Sequence, residues 1–145
     1  MSKQLFSKLV HTHNQAAGAE ILTAKAEPSL AVIGCGYWGA KHIRVGHDIG
    51  ARVSMAVDMG SDRLEYIKSQ YPSVAVARDI DAILNNSSID GVIIATPAVT
   101  HFEMARAALQ AGKHVLVEKP LAMTSAHCRE LIAIAEERER VLMVG

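Results

Sequence analysis

The residues with the most chemistry to offer are Gly34, Gly36 and Gly39, in the stretch SLAVIGCGYWG at 29–39, and the carboxylate of Asp58. Glycines at the spacing G-x-G-x-x-G meet separate demands of a pyrophosphate resting on backbone. Gly34 allows the tight turn, Gly36 the close approach, and Gly39 the packing of helix on strand. A helix starting near Gly36 would turn its free N–H groups and positive dipole end toward the phosphates. Asp58 lies about 20 residues beyond Gly39, after the apolar run Val53 to Val57, where a carboxylate accepts ribose hydroxyls. Strand before, helix after and acid at this distance predict dinucleotide binding rather than a glycine-rich turn with an N-capping Asp. A carboxylate there repels a 2′-phosphate, so NAD is expected, and Arg63 close by leaves NADP open. S-adenosylmethionine in a methyltransferase also uses a glycine turn and an acid after the second strand.

These groups act only if the surrounding elements place them together. Helical spacing at 37–50 puts Ala40 and Ile43 on one side and Lys41, Arg44 and Asp48 elsewhere. A strand follows at 52–57. Leu64, Ile67 and Tyr71 mark a helix ended by Pro72, and 74–77 reads as a third strand. Asp79 is expected to cap a brief helix burying Ile80, Ile83 and Leu84. Val92 to Ala95 is continuously apolar, the mark of a parallel strand covered on both faces. Thr100 and Glu103 predict a capping box for a helix with Phe102, Ala105, Ala108 and Leu109 inside and Gly112 at its end. Strand five is expected at 114–117. Thr124 caps a last helix whose stripe is Cys128, Leu131, Ile132 and Ala135, and strand six closes at 141–144.

Six strands alternating with five helices predict an α/β fold, a doubly wound parallel sheet of Rossmann type in the order 3-2-1-4-5-6. Ligands of such sheets sit at the carboxyl ends of the strands, near the order reversal between strands one and four. The loops after strands one, two, four and five therefore matter most.

The 145 residues amount to one domain. Fifteen basic and fifteen acidic side chains cancel, leaving no charge excess to drive binding to nucleic acid or an anionic membrane. No apolar run approaches the roughly 20 residues that span a bilayer. Cys35 and Cys128 have neither metal-ligand spacing nor the look of a disulfide framework, which fits a reducing cytoplasm. Residues 1–28 read as a flexible or loosely helical extension before the dinucleotide domain at 29–145. Leu5, Phe6, Leu9 and Val10 make at most a short amphipathic turn, and His11 and His13 lack the further ligands a metal site requires.

The stretch ATPAVTHFEMARAALQAGKHVLVEKPLA at 95–122 resembles the Gfo/Idh/MocA family of dehydrogenases, with Glu118-Lys119-Pro120 as its most specific part. The likeness runs over 29–145, and GCGYWGAKHIR looks most like nucleotide-sugar 3-dehydrogenases acting on UDP-N-acetylhexosamine-uronates. The E-K-P turn argues against the methyltransferase. The resemblance implies that Lys119 reaches toward substrate oxygen and the nicotinamide, the catalytic role, where a lysine can hydrogen-bond a developing alkoxide. It implies that Pro120 fixes the turn, that Glu118 orients it or the nicotinamide ribose, and that Thr96 and Pro97 line the nicotinamide half. His101, one helical turn on, is open to a structural role or to ligand contact. Cofactor contacts are thus expected from Gly34, Gly36, Tyr37, Trp38, Gly39, Asp58, Thr96, Pro97, His101, Glu118, Lys119 and Pro120, with no metal ligand. Family members continue after strand six into a second domain that holds the sugar and supplies Asp and His acid/base positions. With nothing after Gly145, the expectation is cofactor binding without turnover, a homo-oligomer, or a non-catalytic module completed by a separately encoded partner.

Overall fold

The structure, a computed structural model, describes residues 27–145. The extension expected at 1–28, with His11 and His13, lies outside the described residues apart from its last two. Five helices and six strands follow one another as β1 (Ser29–Ile33), α1 (Tyr37–Asp48), β2 (Arg52–Val57), α2 (Ser61–Gln70), β3 (Ala75–Ala77), α3 (Asp81–Leu84), β4 (Gly91–Ile94), a 3-10 turn (Ala98–Thr100), α4 (His101–Gln110), β5 (His114–Val117), α5 (Ser125–Glu137) and β6 (Leu142–Val144).

The strands lie in the order β3-β2-β1-β4-β5-β6, every neighbouring pair parallel. This is the doubly wound sheet predicted from the alternation of elements. Successive side chains of a strand point to opposite faces, so the central strands feed two cores at once. On β1, Ala31 and Ile33 enter one core while Val32 enters the other. The first core also takes Phe102, Ala105, Ala108 and Leu109 from α4 and Leu131 and Ala135 from α5. The second takes Ile43 from α1 and Leu64 and Ile67 from α2. Each helix layer thus covers one sheet face, which explains why Leu30 to Ile33 of β1 and Val92 to Ile94 of β4 are apolar without interruption.

Three local expectations are corrected. Thr100 does not cap α4, because its hydroxyl donates to the Pro97 carbonyl at 2.7 Å and meets the Thr96 hydroxyl at 2.8 Å. Glu103 pairs with Arg106 instead of reaching back. On α5, Ile132 is exposed while Ile134 packs on the core. Each step along a helix turns about 100°, so a buried arc centred between Leu131 and Ala135 takes in Ile134 and turns Ile132 outward. The Thr124 cap forms as expected, its hydroxyl accepting from His127 N–H at 3.2 Å, whereas the N-cap of α3 is Ile80 and Asp79 Oδ1 makes only a turn bond, accepting from Asp81 N–H at 2.9 Å.

Candidate functional site

Gly34 sits at φ 89°, in the left-handed region that favours glycine, and a Cβ there would lie 2.7 Å from the Ala95 carbonyl oxygen. The turn after β1 therefore passes directly against the end of β4. At Gly39 a Cβ would stand 1.7 Å from the Gly34 carbonyl oxygen, so α1 packs onto the turn with no room for a side chain. Gly36 differs. A Cβ there would meet nothing closer than Arg63 Nη1 at 3.6 Å, so its face is open. Gly36 is also the N-cap of α1, with no side-chain cap and no acidic residue in the first turn. A helix start with uncapped amides facing open space fits a phosphate group.

Asp58, at the end of β2, is tied into this turn. Its Oδ2 accepts from Cys35 N–H at 2.7 Å and its Oδ1 from Gly60 N–H at 2.7 Å. Arg63 Nη1 stands 3.5 Å from Oδ2, and the Asp58 side chain is only 8% exposed. Arg78, from the end of β3, donates to the Met59 carbonyl at 2.9 Å and brings a second guanidinium to the same rim. Burial, with the Asp58 charge adding to it against Arg63, pushes the Cys35 thiol from 9.0 up to about 12. A thiol held protonated in this way is no nucleophile.

A cleft of about 510 Å³ opens between the ends of β1 and β2 and the end of β4. Gly34, Asp58, Met59, Arg63 and Arg78 form one wall, and Ile80, Ala95, Thr96, Pro97, Thr100 and Met104 the other. It lies at the order reversal where the topology predicts a ligand. A hollow of about 330 Å³ near His47, Arg52 and Tyr71 lies by the amino end of β2, away from the glycine turn.

The E-K-P turn leaves the sheet where β5 ends. Glu118 N–H donates to the Ile94 carbonyl at 2.9 Å, Lys119 is exposed, and the Lys119–Pro120 peptide is cis. His101 is 1% exposed, its Nδ1 2.7 Å from the Pro120 carbonyl and its Nε2 2.9 Å from the Thr96 carbonyl. Both acceptors are carbonyls, so the ring donates to both only when both nitrogens carry hydrogen. His101 thus ties the loop after β4 to the loop after β5 from inside the fold. Tyr37 and Trp38 stand 70% and 49% exposed at the head of α1, edge to face at 5.3 Å, with Lys41 over both rings.

Of the residues singled out in the sequence, Gly34, Asp58, Thr96 and Pro97 line the cleft, while Gly36, Tyr37, Trp38 and Gly39 open α1 just beyond Gly34. Glu118, Lys119 and Pro120 sit on the neighbouring turn, and His101 lies behind it. Three residues escaped sequence reasoning. Arg78 follows a three-residue strand and carries no motif. His42 is a lone histidine on α1, yet its Nε2 is 2.7 Å from Glu118 Oε1. Lys113 is 4% exposed and donates to the Asn86 and Ile89 carbonyls at 2.6 and 2.8 Å. Among the described residues no group of His, Cys, Asp and Glu could hold a metal ion, and no helix is long and apolar enough to cross a membrane.

Comparison with known proteins matches residues 29–145 to the model of the Gfo/Idh/MocA family, described as an oxidoreductase family with an NAD-binding Rossmann fold. Inositol 2-dehydrogenase 2 of Saccharopolyspora erythraea is 37% identical over 106 residues, covering 72% of this chain and 31% of that protein. D-apiose dehydrogenase of Paraburkholderia graminis is 35% identical over 115 residues, covering 79% of this chain and 31% of that protein. The crystal structure of GenD2 from gentamicin A biosynthesis in complex with NAD superposes with a TM-score of 0.79 at 30% identity, covering 90% of this chain and 36% of that one. The chain spans about a third of the length of these relatives.

Proposed function

The chain belongs to the Gfo/Idh/MocA oxidoreductase family, and from that membership we propose that its cleft holds NAD(H) for hydride transfer at a hydroxyl or ketone carbon of a sugar or nucleotide sugar. When bound, the nicotinamide gives or takes the hydride. Gly34, Gly36 and the amides opening α1 hold the pyrophosphate, with Gly39 letting the helix approach. Asp58 accepts from the adenine-side ribose, Tyr37 and Trp38 flank the phosphates, and Thr96 and Pro97 border the nicotinamide half. Glu118 and Pro120 aim the turn, His101 braces it, and Lys119 donates to the substrate oxygen as negative charge develops on it.

The observation that carries this reading is the uncapped start of α1 facing open space beside Gly36, with Asp58 closing the same turn. The buried carboxylate favours NAD, while Arg63 and Arg78 on the rim keep NADP within reach. Relatives named for sugar and inositol dehydrogenation support the substrate class. Two free cysteines support a reducing, cytoplasmic setting. Titration with NADH and NADPH, followed by the fluorescence of Trp38, tests the cofactor. Saturable quenching with tighter NADH is expected; tighter NADPH overturns the preference, and no binding of either overturns the reading.

A further inference from the structure

We propose that His42 is a positioning residue for Lys119: its ring holds the Glu118 carboxylate and so fixes the turn from which Lys119 projects. The inference rests on the reading of Lys119 given above. Past Val117 the E-K-P turn has left β5, so the aim of Lys119 depends on what anchors its two neighbours. On one side, His101 holds the Pro120 carbonyl from within α4, in the layer that covers one sheet face. On the other side, His42 reaches from α1, in the opposite layer, to Glu118 Oε1 at 2.7 Å.

The pair joins residues 76 apart in sequence, with side chains only 25% and 14% exposed. A half-buried carboxylate has lost much of its water and needs a donor, and the His42 ring is the side-chain donor the described residues provide. Gly145, just past β6, lies beside the same carboxylate, since a Cβ built there would meet Glu118 Oε1 at 3.5 Å. Lys119 therefore sits between two anchored neighbours, one fastened to each helical layer. Without the His42 contact the turn keeps one side-chain anchor, and the Glu118 side chain is free to swing while its amide stays on the Ile94 carbonyl. A group that must meet a developing charge loses effect when its approach is loosened in this way.

The test compares the 145-residue chain with its His42→Leu and His42→Gln variants, using NADH and ADP as probes and amide hydrogen exchange over 116–121. For His42→Leu, NADH is expected to weaken about tenfold, as befits one charge-assisted hydrogen bond, with ADP changed less than about twofold. Exchange over 118–121 should rise. His42→Gln, whose amide N–H can reach the same carboxylate, should recover most of both effects. NADH and ADP weakening together, or unchanged exchange over 118–121, would overturn the proposal. If His42→Leu does not fold, Glu118→Leu beside His42→Gln makes the same comparison. If the wild-type chain binds neither nucleotide, the cofactor reading falls and the exchange data alone decide whether His42 pins the turn.

Discussion

Asp58 Oδ2 accepts a hydrogen bond from the Cys35 amide at 2.7 Å, linking the end of β2 to the turn after β1 across 23 residues. The carboxylate thus shapes the glycine turn by itself. Asp58→Asn offers one acceptor oxygen where the carboxylate serves both Cys35 and Gly60. It should cost about 1–3 kcal/mol in urea unfolding. Weaker NADH binding should accompany that loss.

Gly36 and Gly39 separate space for a ligand from space for the fold. Gly39→Ala forces a Cβ against the Gly34 carbonyl and should destabilise the chain by more than about 3 kcal/mol. Gly36→Ala meets only Arg63 Nη1, at an ordinary contact distance of 3.6 Å, and should melt within a few degrees of wild type. It should nonetheless bind NADH at least tenfold more weakly, because the methyl stands where phosphate approaches. Thermal melts paired with NADH titration check both, and an unaltered NADH affinity in Gly36→Ala would count against the phosphate assignment.

The thiol of Cys35 predicts a pH effect of definite sign. Its value is pushed from 9.0 up to about 12 by burial and by Asp58, so between those limits the folded chain holds a proton that the unfolded chain has lost. The stabilisation is present in full below about 9 and disappears as pH rises toward about 12. Wild type should therefore lose stability faster than Cys35→Ala over this range, as read by urea unfolding at stepped pH. At neutral pH, Cys128 should react with a thiol reagent well before Cys35.

Lys113 stabilises the fold without touching the cleft. Its ammonium meets the Asn86 and Ile89 carbonyls and joins the loop after α3 to the start of β5. Burial holds its value below the ordinary lysine range, against the pull of Asp90. Lys113→Met leaves both carbonyls without this donor and should cost about 2–4 kcal/mol. The NADH and ADP affinities of the folded fraction should stay unchanged.

The β6 edge invites self-association. Val141, Met143 and Val144 are 53%, 54% and 50% exposed beside a strand paired on one side, among the described residues, with β5. Apolar area next to an unpaired edge templates contact with another chain. The 145-residue chain should show concentration-dependent sedimentation, and Met143→Lys should reduce it.

Much of the fold was legible because the pattern is local. Continuous apolar runs at 30–33 and 92–95, separated by helical spacing, imply a sheet covered on both faces, and glycines fix where helices begin and end. The glycine turn and Asp58 were legible for the same reason, since their spacing carries the geometry. What stayed hidden depends on distant partners. Thr100 faces a choice between capping α4 and bonding Pro97, and only the path of the loop after β4 decides it. Ile132 and Ile134 are equally apolar, and the centre of the buried arc selects between them. His42 and Lys113 stand inside the stretches that carry the resemblance, yet their contacts stayed hidden because their acceptors arrive from far along the chain.

The position of β1 between β2 and β4 also sets an order of events in time. Leu30 pairs with Val53 on one side and with Gly91 on the other, so one flank closes 23 residues along the chain from Leu30 and the other only 61 residues along. Until β4 docks, Gly34 has no Ala95 beside it and the far wall of the cleft does not exist. A nascent chain that has emerged only through β3 would carry the glycine turn and Asp58 yet offer nucleotide a single wall. Competence to bind is acquired in one late step, when the second half of the sheet arrives, and that long-range pairing is also the slow part of folding.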